Sequence, residues 1–267
     1  MIVLDVRKDI DSFSTEGHIA DAVLVNAKKV RVTRTIDGLE LTRMLPDRKH
    51  FEKFMSEHGV SSNSTVVITH KGETPGDVAS AARLYWQLRY YGFDSVALLG
   101  GGNKNWVEGL EELTTDSQPV VEGKFVVKGE RPDIYATTTQ VEQAHKSGSH
   151  TLVDTRPLRF HIGLDKRDYV YAYGHIPGSR NFPYKLMHPE KGIAVYLPVE
   201  EMKAAFSALH IDPAASIILN CNSAYECSSV WFLLHELMGN QHVRIYDGSL
   251  HEWTKDASHP MTIQLTR

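Results

Sequence analysis

The sequence predicts an α/β protein of two similar halves, each a mainly parallel sheet flanked by helices. Short apolar runs without polar alternation, such as residues 65–69 and 216–220, are typical of strands buried on both faces of a sheet. Helical segments alternate with these runs, and this alternation favours a parallel sheet covered on both sides. A repeat of short motifs then divides the chain into its two halves.

Four motifs occur in the same order in both halves. Each half opens with an Asp followed two positions later by Arg, continues with Gly-His-Ile and a β-branched strand, and ends with a glycine turn before a tryptophan. The motifs lie at residues 4–7, 17–19, 65–69 and 100–106, and again at residues 153–156, 174–176, 216–220 and 247–253. We interpret the halves as copies of one domain. The alternative is two α/β domains that share only generic strand and turn residues.

Three segments are predicted to be helices. Residues 78–91 are rich in Ala, Leu and aromatic side chains at helical spacing and stop at Gly92. Residues 199–209 follow a proline and carry two acidic residues in the first turn, where the helix dipole favours them. Residues 230–238 end at Gly239, which is a typical C-cap.

The domain boundaries are predicted from composition. Residues 114–132 are largely polar, contain two prolines and include a charged tract at 128–131, all of which indicate a linker. This leaves residues 1–113 as the first domain and residues 133–267 as the second.

The composition excludes several classes of protein. Hydrophobic residues make up 42% and charged residues 23% of the chain, as in ordinary globular proteins. A net charge of −4 argues against a general nucleic-acid binder, and no apolar run approaches membrane-spanning length. Two cysteines make no disulfide framework, and without CxxC or HExxH we expect no metal. No secretory pattern is visible, so we expect a cytoplasmic protein.

The clearest chemical signal is the segment around Cys221. A buried strand ends at Asn220, and a helix is expected to begin near Cys227 or Ser228. Ligands sit at the carboxyl ends of strands in open α/β sheets, and loop N–H groups before a helix favour an anion. Such surroundings favour a thiolate, which is the nucleophilic form of cysteine.

Two other interpretations of the cysteines stay open. Cys221 is a small buried side chain in the alternative interpretation, as most free cysteines are. Cys227 is expected to face inward from the first helical turn and to be structural. The spacing of the two cysteines does not exclude a disulfide between them.

These motifs resemble a known family. The second half is similar to the catalytic domain of rhodaneses and mercaptopyruvate sulfurtransferases, and the first half resembles their non-catalytic domain, whose equivalent strand ends at residues 69–70 without a cysteine. The matching segments of the second half are residues 153–156, 159–160, 174–179, the Cys221 loop and residues 246–253. The resemblance implies two rhodanese-like domains and a persulfide carried on Cys221.

The resemblance also implies a persulfide-binding loop, which here departs from the family pattern. The loop consists of Asn222, Ser223, Ala224, Tyr225, Glu226 and Cys227. Ala224 stands where the family usually has glycine, and Glu226 stands where it usually has Thr or Arg. A carboxylate facing the thiolate would disfavour the persulfide. We therefore expect Glu226 to turn away and to bind a basic residue or a helix N–H.

Three arginines are candidates for binding an anionic sulfur donor. Arg159 matches one substrate-binding arginine of the mercaptopyruvate type, and Arg167 matches the second if one residue is deleted. Arg43 precedes a Met-Leu-Pro tripeptide, where that type has a histidine that assists Ser223. The alternative for Arg159 and Arg167 is solvated surface charge. Arg156 is expected to pair with an acid of its own domain.

The sequence therefore predicts a sulfurtransferase. Cys221 would take sulfane sulfur from thiosulfate or 3-mercaptopyruvate and pass it to cyanide, a thiol or a thioredoxin-like protein, without metal, organic cofactor, nucleic acid or membrane. The uncharged residues after Cys221 resemble the mercaptopyruvate type. One rival is a non-enzymatic rhodanese-like sulfur- or protein-binding module. A cysteine phosphatase is disfavoured, because no Lys or Arg occurs in the six residues after Cys221.

Overall fold

The computed structural model describes residues 1–265, which form two compact units. Unit 1 consists of Met1–Val32, Leu45–Arg131 and His188–Tyr196. Unit 2 consists of Thr33–Met44, Pro132–Met187 and the chain from Leu197 onward. Each unit therefore includes one short segment that the sequence places within the other half.

Unit 1 is a four-stranded parallel sheet covered by helices. Its strand order is β2-β1-β5-β6, so that β1 and β5 are the central strands. The strands are β1 (Ile2–Arg7), β2 (Ala22–Asn26), β5 (Val66–Thr69) and β6 (Val96–Leu98). The helices are α1 (Ser12–Thr15), α2 (Arg48–Glu57), α3 (Pro75–Tyr90) and α4 (Gly102–Glu108). Strands β3 (Val32–Ile36) and β4 (Leu39–Met44) form a separate two-stranded sheet that, apart from Val32, belongs to unit 2.

Unit 2 repeats this architecture with a five-stranded parallel sheet. Its order is β7-β11-β10-β8-β9, which puts β10 at the centre. The strands are β7 (Tyr135–Ala136), β8 (Thr151–Asp154), β9 (Arg180–Asn181), β10 (Ile217–Asn220) and β11 (Val243–Tyr246). The helices are α5 (Thr138–Ser147), α6 (Leu158–His161), α7 (Val199–Ala208), α8 (Glu226–Trp231) and α9 (Ser249–Trp253). The predicted fold class, two α/β domains with parallel sheets, is confirmed.

The repeat extends to buried polar contacts. In unit 1 the Arg7 guanidinium binds Asp5 and donates to the Gly17 carbonyl at 2.7 Å. In unit 2 Arg156 binds Asp154 and donates to the Gly174 carbonyl, also at 2.7 Å. Both ion pairs are buried, so each Asp-x-Arg motif attaches the end of its strand, β1 or β8, to the Gly-His-Ile segment.

Two of the three predicted helices differ at their ends from the sequence expectation. Helix α3 begins at Pro75, earlier than residue 78, because Thr74 and Asp77 form a capping box and proline suits the first turn. Helix α7 agrees to within a residue. The third begins at Glu226 as α8 and continues as a π-helix over Phe232–Leu237. It therefore begins before residue 230 and within two residues of the start that we expect after the Cys221 loop.

The predicted linker, residues 114–132, packs on unit 1. Phe125 is buried in it, and its backbone is hydrogen-bonded to the segment around Ser56 and Ser62. Farther along, Arg131 pairs with Asp94 at 2.7 Å. Polar composition indicated a linker, and these backbone contacts attach the segment to the domain before it. No helix that the structure describes in residues 1–265 is long and apolar enough to cross a membrane.

Candidate active site

Cys221 lies immediately after the central strand of unit 2. Its neighbours in the sheet, β8 and β11, end beside β10 and contribute residues to the same edge. Thr155, which follows β8, donates both its backbone N–H and its hydroxyl to the Asn220 carbonyl, at 2.9 and 3.2 Å. This edge is the carboxyl end of a parallel sheet, where α/β proteins bind ligands.

The Ser249 side chain is hydrogen-bonded to two backbone N–H groups of the Cys221 loop. Its hydroxyl accepts hydrogen bonds from the backbone N–H groups of Cys221 at 3.1 Å and Ala224 at 3.3 Å, and donates to the Tyr246 carbonyl at 2.8 Å. Ser249 is fully buried, so these bonds are shielded from water. A single side chain thus bends residues 221–224 into a turn. Ser249 lies in the glycine turn at residues 247–253 that the sequence analysis identified, although its role was not predicted.

The residues of α9 that follow Ser249 also bind the loop. The Leu250 N–H donates to the Cys221 carbonyl at 3.1 Å, and the His251 N–H donates to the Asn222 carbonyl at 3.0 Å. These carbonyls therefore point toward α9, and the loop is attached to the first turn of that helix.

Ala224 adopts a left-handed backbone conformation with a φ of 54°. Residues with a Cβ rarely adopt this conformation, and an L-residue there costs roughly 1–2 kcal/mol. The family's usual glycine avoids this cost. The chain therefore accommodates Ala224 in place of the family's usual glycine, with some backbone strain.

Both cysteines are fully buried free thiols, so the structure contains no disulfide between them. Cys227 lies in the first turn of α8 and is buried within the unit. Its position fits the inward-facing structural role that we expect for it. Cys221 lies one residue past the strand end, where the loop surrounds it.

Arg156 makes the predicted structural pair with an acid of its own domain. Its guanidinium contacts both carboxylate oxygens of Asp154, at 2.9 and 2.6 Å. Burial works against the charges, but Arg156 and His161 hold the pKa of Asp154 well below its usual range. Despite burial, the pKa of Arg156 is raised by Asp154 and also by Cys221 and Glu226.

Glu226 does not make the contacts expected of it. Within residues 1–265, neither a basic side chain nor a backbone N–H is hydrogen-bonded or ion-paired to its carboxylate. Its charge instead acts on Arg156 and Tyr169, the same two residues that Cys221 affects. The expectation that Glu226 is neutralised by a partner was therefore wrong, because the first turn of α8 brings the carboxylate near the cysteine's own neighbours.

The predicted substrate arginines Arg159 and Arg167 lie on and after α6, which follows β8. Arg159 is exposed and pairs with Asp165 at 3.4 Å. The Arg167 guanidinium lies 5.4 Å from the centre of the Phe160 ring. Neither is hydrogen-bonded to the Cys221 loop in the described part of the chain, so their role in binding stays a prediction.

Arg43 is connected to the loop through Tyr169, a residue that the sequence analysis missed. The Arg43 guanidinium carbon lies 4.3 Å from the centre of the Tyr169 ring, and Ser223 of the loop lowers the pKa of the Tyr169 hydroxyl. Tyr169 is half-buried and Arg43 is exposed. No motif marks Tyr169, because its place depends on contacts between distant segments.

His251 joins three segments of this site. Its Nδ1 is 2.7 Å from the Tyr169 carbonyl, which only accepts, so Nδ1 carries the proton. Its Nε2 accepts the Thr42 N–H at 3.2 Å. The imidazole is therefore neutral, in agreement with the lowering of its pKa by burial. His251 thus attaches β4, which contains Arg43, and the backbone of Tyr169 to the Cys221 loop.

The equivalent position in unit 1 contains a histidine. His70 follows β5 as Cys221 follows β10, and its carbonyl accepts the Asn103 N–H at 2.7 Å, as the Cys221 carbonyl accepts from Leu250. Gly102 occupies the place of Ser249, and a Cβ there would collide with the His70 backbone and ring. Unit 1 therefore has the same loop framework without a thiol.

The fold and this cysteine loop define a tandem α/β protein with one thiol-bearing domain. The rhodanese-like domain matches residues 1–109 and 137–256. The chain belongs to the rhodanese-like family. It carries two such domains, as the sequence predicted.

Named relatives support this membership. A sulfur carrier protein, TtuD, of Thermus thermophilus is 32% identical over 263 residues, covering 94% of this chain and 87% of that protein. A putative thiosulfate sulfurtransferase of Haloferax volcanii is 30% identical over 258 residues, covering 94% and 85%. The thiosulfate sulfurtransferase of Gallus gallus is 30% identical over 238 residues, covering 89% and 78%. The relatives' names support a rhodanese-type sulfurtransferase.

Solved structures confirm the fold. The anaerobic ergothioneine biosynthesis enzyme from Chlorobium limicola, in complex with trimethyl histidine, superimposes with a TM-score of 0.84 at 22% identity over 99% of this chain. The wild-type structure of EanB gives a TM-score of 0.83 at 21% identity. This chain spans 65% and 64% of those two chains.

Proposed function

We propose that this protein is a sulfurtransferase that carries sulfane sulfur as a persulfide on Cys221. The observation that carries this proposal is the position of Cys221, directly after the central strand, in a loop held by Ser249 and α9. Residues 222–227 form the persulfide-binding loop. Unit 1 holds His70 at the same position, so a single thiol serves the reaction.

The chemistry proceeds in two transfers. The Cys221 thiolate attacks the outer sulfur of thiosulfate, an S–S bond forms to the cysteine, and the donor's S–S bond breaks with its electron pair leaving on sulfite. A nucleophilic acceptor then attacks the outer sulfur of the persulfide and returns the electron pair to Cys221. Cyanide, a thiol or a thioredoxin-like protein meets this requirement, and no metal or organic cofactor takes part.

Positive charge around the loop suits an anionic donor. Arg43 is exposed over Tyr169, and its guanidinium makes no ion pair with a carboxylate in the described residues. Arg159 and Arg167 lie on the segment after β8, beside the strand that bears Cys221. We propose that these three arginines bind the donor's negative groups.

Two buried free thiols suit a reducing compartment such as the cytoplasm.

A sulfur carrier without strong donor activity is the second candidate. The relative TtuD is named a sulfur carrier protein. Glu226 adds a negative charge near the residues that Cys221 itself affects, which disfavours an anionic donor. A phosphatase is not supported, because residues 222–227 include no arginine to close around a phosphate.

The test is sulfur transfer to cyanide from thiosulfate and from 3-mercaptopyruvate. Cys221→Ser should abolish transfer from both donors, because it removes the only sulfur-carrying thiol. Cys227→Ser is the matched control and should keep most activity. Mass spectrometry after incubation with donor should show one added sulfur on the peptide that contains Cys221. Persulfide on Cys227, or full activity of Cys221→Ser, would overturn the proposal. Persulfide on Cys221 without turnover would favour the carrier.

A further inference from the structure

Tyr169 is attached to the Cys221 loop through His251. Its carbonyl accepts the Nδ1–H of His251, whose backbone N–H is bonded to the Asn222 carbonyl. Ser223, two residues after the cysteine, acts on its hydroxyl and lowers the pKa of the phenol. The backbone of Tyr169 is thus fixed relative to the loop, and the charges of Cys221 and Arg43 both act on its phenol.

Arg43 covers the ring of Tyr169. Its guanidinium carbon is 4.3 Å from the ring centre, within the range of a cation–π contact. Arg43 has a left-handed backbone with a φ of 66°, and the residue before it is held by His251 Nε2. Strain of this kind persists where the surroundings impose it, and here it places a cation over the phenol.

The Tyr169 phenol is protonated at neutral pH, and two neighbouring groups favour the phenolate that forms when the proton is released. Burial raises the pKa of Tyr169, and the negative charges of Glu226 and Cys221 raise it further. The Ser223 hydrogen bond and the Arg43 charge act in the opposite direction, because both favour the phenolate. A group that is protonated at rest and whose conjugate base is supported has the properties of a general acid.

We propose that Tyr169 donates a proton to the leaving group when the sulfur donor is an α-keto thiol such as 3-mercaptopyruvate. This inference rests on the proposed persulfide chemistry at Cys221. Arg43 and Ser223 stabilise the phenolate that remains. Tyr169 and Arg43 thus take the place of the histidine that precedes the Met-Leu-Pro tripeptide in the mercaptopyruvate type.

The step balances without an external oxidant. The Cys221 thiolate attacks the donor sulfur, the S–S bond forms, and the C–S bond breaks with its electron pair going to carbon. The resulting enolate takes a proton from Tyr169 and becomes pyruvate, while the donor's thiol proton passes to water, from which the phenolate is reprotonated. The two sulfur atoms that join in the persulfide are oxidised, and the donor carbon that loses its C–S bond is reduced. With thiosulfate the electron pair leaves on sulfite, which needs no proton.

The two donors therefore separate the role of the hydroxyl from a structural one. Tyr169→Phe keeps the ring and the Arg43 contact and removes only the hydroxyl. We expect kcat with 3-mercaptopyruvate to fall about 10²-fold or more, as is typical when a general acid is lost. Turnover with thiosulfate should change less than about threefold. Ser223→Ala should shift the 3-mercaptopyruvate rate in the same direction by a smaller factor.

Tyr171→Phe is the matched control, since Tyr171 lies two residues away with 55% of its surface exposed, and both rates should stay unchanged. An equal loss with both donors, or no loss with either, would overturn the role of Tyr169. So would a wild-type protein that turns over thiosulfate but not 3-mercaptopyruvate, although the Cys221 persulfide would then stand. A wild type that forms no persulfide from either donor would instead refute the proposed function itself.

Discussion

At the scale of single residues, Glu226 distinguishes this site most. A carboxylate without a hydrogen-bonding partner in residues 1–265 lies near Arg156 and Tyr169, both of which also respond to Cys221. Like charges in one site oppose each other's ionisation. We therefore expect the charge of Glu226 to disfavour sulfur donors with high negative charge.

Glu226→Gln should accelerate alkylation of Cys221 by iodoacetamide at pH 7. The substitution keeps the side-chain size and removes one negative charge, and we expect a rate increase of roughly threefold to tenfold. Glu200→Gln is the control, because Glu200 is an exposed carboxylate of α7 that pairs with Lys203. An unchanged rate in Glu226→Gln would show that its charge does not reach the thiol.

Other residues show where sequence reasoning ended. Cys221 was predictable because it follows the end of a buried strand. The ion pair between Arg156 and Asp154 was predictable because both residues belong to a motif that occurs in each half of the chain. Tyr169 and His251 were not, since their contacts join β4, the segment after α6 and α9, which are distant in the chain. Glu226 was recognised, but its environment depends on how α8 begins.

At the scale of elements, the strand–loop–helix around Cys221 depends on α9. The Ser249 hydroxyl satisfies two buried N–H groups of the loop, and the next two N–H groups of α9 bind loop carbonyls. The sequence predicted the strand and the loop from apolar runs and small residues. The helix was expected to begin near Cys227 or Ser228 and begins at Glu226, but the π-helix that follows it was not predicted.

Ser249→Ala should therefore weaken the loop itself. The change leaves the N–H groups of Cys221 and Ala224 buried without their acceptor, and each such loss costs about 1–3 kcal/mol. We expect the free energy of unfolding to fall by that order, and sulfur transfer to fall with it. Denaturant titration measures the first effect. Ser147→Ala, which removes an exposed hydroxyl of α5, should leave both properties intact; equal losses in the two variants would contradict the anchoring role.

At the scale of the whole molecule, the motif repeat was sufficient to predict two copies of one α/β domain. The exchange of Thr33–Met44 into unit 2 and of His188–Tyr196 into unit 1 was not predictable. Local patterns report whether a segment is a strand or a loop, whereas the domain it packs on is decided by tertiary contacts. The same reason explains why a polar tract that suggested a linker lies against unit 1.

Buried histidines make the stability of the molecule depend on pH. Burial lowers the pKa of His70 to about 4, while Asp77 and Asp5 act against it and His188 acts with it. The pKa values of His175, His188 and His251 are also lowered, mainly by burial. An unfolded histidine takes up a proton near pH 6.5. Between pH 6.5 and 4 the unfolded chain therefore binds more protons than the folded one, and stability falls as the pH falls.

His70 alone should account for about 3 kcal/mol of this loss, since each pKa unit corresponds to about 1.4 kcal/mol. Denaturant titrations at intervals from pH 7 to pH 4 measure the slope. His70→Asn should be less stable than wild type at pH 7, because a smaller side chain leaves a cavity, but its stability should decline less steeply toward pH 4. His50→Asn, a change at an exposed site of α2, should keep the wild-type slope. A His70→Asn curve parallel to that of the wild type would show that His70 does not titrate with unfolding, and the pH dependence would then belong to the other histidines with a lowered pKa.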